Sequence, residues 1–185
     1  MISAKNLESS MTEKPEILQL GAEALRQQAL HVDDFNCAKF HQLIATLSSI
    51  MLESNGVGIA APQLGASWQI IIVASRPTLR YPQAVEMPPV VMVNPHYKIL
   101  DESLIKDWEG CLSVPGIRAL VPRYRALHVS YQNPQGVACQ MQLQDFPARV
   151  FQHEFDHLQG LVYLDRVETN RDIVAETEFF KRIAA

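Results

Sequence analysis

Long apolar runs, a basic excess and an even set of cysteines are all missing from this sequence, and each absence removes a class of protein. The longest apolar stretches, such as Ile70-Ile71-Ile72-Val73-Ala74, fall far short of the ~20 residues that a membrane-spanning helix needs. The opening residues, MISAKNLESSMTEKPE, mix charge with Ser and Thr and lack the apolar core of a secretory signal. Sixteen Lys and Arg stand against twenty Asp and Glu, a net charge of -4, so a duplex-binding surface is not expected. Three cysteines, Cys37, Cys111 and Cys139, are too few, too scattered and odd in number for a disulfide scaffold. No internal repeat, low-complexity run or linker interrupts the chain. What remains is a soluble protein expected in a reducing compartment, the cytoplasm, as one domain spanning residues 1–185 with a polar extension over about 1–15. Met11 offers an alternative start within that extension.

Periodicity then supplies elements. From Asp33-Asp34 to Ser54, Phe40, Leu43, Ile44, Leu47, Ile50 and Met51 recur at three- and four-residue steps, predicting an amphipathic helix closed by Asn55-Gly56. Strand-like runs follow at Trp68–Ala74, Val90–Asn94 and Ala119–Val121. A hairpin is predicted where Leu127, Val129 and Tyr131 alternate, turn through Asn133-Pro134-Gln135-Gly136, and alternate again over Val137, Cys139, Met141 and Leu143. Pro147 to Leu158 and Asp172 to Ile183 read as helices. Strands without regular helix alternation predict an α+β fold, its antiparallel sheets packed around the Pro147–Leu158 helix.

That helix carries His153-Glu154-Phe155-Asp156-His157. Residues four apart leave the same helix face about 6 Å apart along the axis, so two imidazoles can reach one metal ion. Glu154, one step on, can reach a metal-bound water and move its proton. The competing explanation is two surface histidines at chance spacing, which arises roughly once in a hundred chains of this composition.

Two histidines leave a catalytic site one protein ligand short. A metzincin-like third histidine is absent, because position 163 is Tyr163. A thermolysin-like late glutamate has candidates in Glu176 and Glu178, though without the flanking sequence of that family. Cys111 is the third candidate, in Glu109-Gly110-Cys111-Leu112-Ser113-Val114-Pro115-Gly116, whose glycines and proline predict a loop. Cys37 and Cys139 suit ordinary packing.

With these residues assembled, the sequence resembles the peptide deformylases, bacterial type. Gly56-Val57-Gly58-Ile59-Ala60-Ala61-Pro62-Gln63, the Glu109–Gly116 segment and Gln152-His153-Glu154-Phe155-Asp156-His157-Leu158-Gln159-Gly160 carry the likeness, with weaker similarity from Ile17 to about Asp165. The resemblance implies that Cys111, His153 and His157 ligate one divalent metal, ferrous iron in the cell, with Ni2+, Co2+ or Zn2+ able to substitute. It implies that metal-bound hydroxide attacks the formyl carbonyl of an N-terminal formyl-methionine, releasing formate. Glu154 would be the general base and acid, and Gln63 and the Leu112 N–H the oxyanion donors. Gly58 would bind the substrate backbone, while Val57 and Val150 would wall the methionine side chain. The expected partners are formyl-Met nascent peptides and, transiently, the ribosome, met by a monomer with no membrane or specific nucleic-acid contact. The tail after Leu164 lacks a strongly basic helix, which weakens tail-mediated ribosome docking. Asp156 would orient a ligand imidazole or form an ion pair; Arg118 would bind substrate carbonyls or pair with Glu109. A late-Glu metallopeptidase and a catalytically inactive metal-binding module are the competing functions.

Overall fold

The computed structural model describes residues 15–78 and 81–183. The polar extension, Met11 included, lies outside them except at Pro15. Among these described residues three α-helices, α1 (Ala38–Glu53), α2 (Asp145–Leu158) and α3 (Glu176–Ile183), accompany six strands. These are β1 (Gly58–Ala60), β2 (Ile70–Ser75), β3 (Met87–Cys111), β4 (Val114–Gln132), β5 (Ala138–Gln144) and β6 (Ile173–Ala175). All pair antiparallel in one sheet ordered β1-β2-β3-β4-β5, with β6 added alongside β4. The α+β expectation holds, as does the central position of α2.

The apolar stripe of α1 buries Phe40, Leu47, Ile50 and Met51 against β1 and β2. The helix starts at Ala38 rather than Asp33, because Asp34 caps a local turn by accepting the Asn36 N–H at 2.9 Å. At its other end Asn55 takes the left-handed conformation (φ 52°), and the Gly56 N–H closes on the Met51 carbonyl at 2.9 Å.

The long strands were only partly legible. The expected run Val90–Asn94 is one end of the 25-residue β3, and Ala119–Val121 lies within the 19-residue β4. Between Ile99 and Leu104 the β3/β4 register shifts repeatedly, and Leu100, Leu104 and Ile105 face solvent on an open edge, so no clean alternation survives. The β4–β5 hairpin turns where expected, with Gly136 at φ +76° and the Asn133 side chain accepting the N–H groups of Gln135 and Val137. Leu143 is buried and Cys139 and Met141 half-buried, but Val137 is 57% exposed and stands off that face. Asp172 to Ala175 is not helix: its tip is a 3-10 turn, and Ile173–Ala175 pairs with Ile117–Ala119 of β4.

Helix α2 is buried on nearly every side, between β1/β2 and β4/β5. Fully buried Phe151 stacks with Phe155 and meets Tyr97 edge-on, fixing the face opposite the histidines. Burial of one such aromatic is worth about 2–3 kcal/mol. Gly160 ends the helix at φ +73°, where any Cβ would lie 2.7 Å from the Arg26 carbonyl oxygen. No helix among the described residues is long and apolar enough to cross a membrane.

Candidate active site

The HExxH face of α2 meets the end of β3. His153 and His157 sit with ring centroids 5.3 Å apart, and Cys111 Sγ lies 3.3 Å from His157 Nε2. The donor atoms of Cys111, His153 and His157 all lie within 4.8 Å of one another, the one such group found among the described residues. Cys111 is not in a loop as expected. It is the last residue of β3, paired with Val114 across the two-residue turn Leu112-Ser113, so the sheet itself aims the thiol at α2. Burial alone would raise the Cys111 thiol, but the imidazoles of His157 and His153 outweigh it and hold it well below its ordinary value. The Ser113 N–H (3.4 Å) and the Gln63 amide (3.6 Å) donate to the same sulfur.

Glu109 orients the nearer histidine. Its carboxylate stands 2.9 Å from His153 Nδ1 and accepts that ring's proton, which leaves Nε2 as the free donor pair facing Cys111. Burial pushes Glu109 upward, yet Arg123 and His153 hold it below the usual carboxylate range. Arg123 grips it at 2.9 and 3.0 Å, and Arg149 at 2.8 Å. Asp156 does not touch an imidazole: it pairs with Arg123 at 2.6 Å and Arg166 at 2.6 Å, the ion-pair alternative. Arg118 pairs with Glu176 rather than Glu109.

A cleft of about 340 Å³ opens onto this group, and Val57, Gly58, Gln63, Leu112, Val150 and Glu154 all line it. Gln63 is fixed at both ends: its Oε1 accepts the Ala60 N–H at 2.8 Å, and its Nε2 reaches Ser113 Oγ at 3.1 Å. Tyr81 and Phe146, ring centroids 4.1 Å apart, extend the apolar wall begun by Val57 and Val150, and the sequence signalled neither.

Gly58 earns its place through Glu154. A Cβ at residue 58 would lie 2.8 Å from both Cγ and Cδ of that side chain, so only glycine lets the carboxylate rest against β1. Gly58→Ala is therefore expected to displace Glu154 and lower kcat by about 100-fold while metal content stays normal. Parallel turnover and metal assays check this; unchanged turnover would contradict it.

Glu154 Oε2 and His157 Nδ1 are buried with no hydrogen-bond partner. An orphaned carboxylate oxygen beside one thiol and two imidazoles is a polar environment built for a ligand-bearing cation, and this donor set suits iron, nickel, cobalt or zinc. In the metal-free site, burial raises Glu154 from 4.5 to about 7, against the pull of His153 and His157. Below pH 4.5 the carboxyl is protonated folded and unfolded; between 4.5 and about 7 only the unfolded chain ionises, so stability is lost as pH rises. Chelator-treated Glu154→Gln should match the chelator-treated parent near pH 4.5 and exceed it above pH 7 by up to about 3 kcal/mol. Urea midpoints measured across that range check it, and a gap that fails to widen with pH would contradict it.

Fold and site thus define a class: a hydrolase centre of the HExxH type with a strand-borne cysteine as the third donor. The late-glutamate alternative loses its residues, since Glu176 and Glu178 both lie outside the one converging donor group found among the described residues. The sequence profile of the polypeptide deformylase family matches residues 14–172. Peptide deformylase 2 of Nostoc sp. is 48% identical over 163 residues, covering 88% of this chain and 91% of that protein. A class I type b peptide deformylase from Acinetobacter baumannii, solved bound to Met-Ala-Ser, superposes with a TM-score of 0.79 at 43% identity, over 82% of this chain and 96% of that one. A peptide deformylase from Synechococcus elongatus in complex with actinonin gives 0.76 at 33% identity, over 88% and 85%. The chain belongs to the polypeptide deformylase family, metal-dependent hydrolases that remove the formyl group from the N-terminal formyl-methionine of nascent polypeptides.

Proposed function

We propose that this chain works as a single catalytic domain, cytoplasmic and monomeric, whose metal is ferrous iron held by Cys111, His153 and His157. The observation that carries the reading is the convergence of those three donors beside Glu154, with Glu109 fixing the His153 ring. When bound, the ion supplies Lewis acidity that makes water a nucleophile near neutral pH.

The chain's own residues do the rest. Glu154 accepts the proton of the attacking water as the oxygen adds to the formyl carbon, and delivers it to the amine nitrogen as the C–N bond breaks, giving formate and a free N-terminus. Negative charge develops on the formyl oxygen. The Gln63 Nε2–H, anchored through Ala60 and Ser113, and the Leu112 N–H meet it there, each worth on the order of 3 kcal/mol when aligned. Gly58 offers its backbone to the peptide, and Val57 and Val150, with Phe146 and Tyr81, wall the methionine side chain. The Met-Ala-Ser found in the Acinetobacter relative is the kind of peptide such a cleft holds. A thiolate beside ferrous iron is readily oxidised, which suits a reducing cytoplasm.

Metal analysis of protein purified without air or added metal tests the assignment. Iron near one equivalent per chain, with activity decaying on exposure to air, is expected; stoichiometric zinc with air-stable activity would overturn the iron reading.

A further inference from the structure

The cleft has a charged mouth that the reaction does not use. Arg118 and Glu176 both line it, 14% and 32% exposed at their side chains, and Arg118 Nε donates to Glu176 Oε1 at 2.9 Å, with Nη2 on the same oxygen. The pair is held in place from both sides. Gly110, next to Cys111, leaves room for the guanidinium: a Cβ there would lie 2.8 Å from Arg118 Cδ. On the other side, Arg118 pairs with Val174 across β4 and β6, and α3 anchors on the same end of the sheet through Phe179 against Trp108, ring centroids 5.4 Å apart. Glu176 therefore comes to the mouth from the C-terminal segment by built structure. Glu109 and Arg149, which also line the cleft, are buried and bonded to each other, which leaves Arg118 and Glu176 as the more exposed charged pair along it.

We propose that Glu176 is a specificity-determining residue: by neutralising Arg118 at the cleft mouth, it makes deformylation indifferent to the charge of the residues that follow the formyl-methionine. The inference rests on the deformylase reading. An enzyme that meets nascent chains of every sequence gains from such indifference, whereas a bare guanidinium at the mouth would favour acidic peptides and penalise basic ones.

The test compares kcat/KM for formyl-Met-Ala-Glu and formyl-Met-Ala-Lys, with formyl-Met-Ala-Ser as reference. The parent enzyme should show a Glu/Lys ratio near one. Glu176→Gln should raise that ratio about fivefold at low salt, and the gain should fade at about 0.5 M salt. Arg118→Gln should move it below one, and the double variant should return it toward the parent value. Equal ratios in all four proteins, with formyl-Met-Ala-Ser still turned over, would overturn this inference alone. No formate from formyl-Met-Ala-Ser with the parent enzyme would overturn the deformylase reading, and this inference with it.

Discussion

Replacing Cys111 by alanine is expected to empty the metal centre and abolish formate release. The thiolate is the one anionic donor in the group; without it two neutral imidazoles are the only members of that group left to hold a divalent cation in a buried site. Neither Glu176 nor Glu178 belongs to the converging donor group found among the described residues, so neither is placed to replace it. Losing a supporting partner of a metal ligand costs 10- to 100-fold, so losing the ligand itself should weaken binding by more than about 100-fold. Metal per chain after anaerobic desalting, read with formate release, checks this. Cys37→Ala and Cys139→Ala serve as controls: both thiols are free and remote from the donor group, and neither substitution should change metal content. Full metal occupancy in Cys111→Ala would remove the cysteine from the centre.

Glu154→Gln separates chemistry from binding. The amide keeps the shape of the side chain against Gly58 but can no longer take a proton, and Glu154 is outside the converging donor group. Metal should stay, and kcat should fall by about 100- to 10,000-fold. The position of the carboxylate argues for a proton carrier: it is buried beside the converging donor group, with one oxygen unpartnered. Loss of metal in this variant would make Glu154 a ligand or a structural support instead.

The legible parts of this molecule were those written in local periodicity. The stripe of α1, the hairpin turn at Asn133–Gly136 and the i, i+4 histidines of α2 each follow from spacing along a few turns or residues. The long β3 strand did not show because its middle is a bent open edge with shifting register, which mixes exposed Leu104 and Ile105 with charged neighbours. Cys111 was expected in a loop because glycine and proline flank it; pairing with β4 overrides that local preference. In the site, the His153/His157 pair and Glu154 stand out from helix spacing and Cys111 from the family resemblance, and the structure brings these residues together. Their supports do not stand out in the same way. Glu109 finds His153 forty-four residues away and Arg123 bridges it to Asp156, long-range pairings that leave no periodic trace. Asp156 is readable as an ion-pair candidate from its place inside the HExxH run, and Glu109 only as a neighbour of Cys111.

The most direct test of the account is formate release from formyl-Met-Ala-Ser by anaerobically purified, iron-loaded protein. Stoichiometric formate, appearing with the free amine and lost on chelation, is the expected result. No formate from protein shown to hold its metal would contradict the account at its centre.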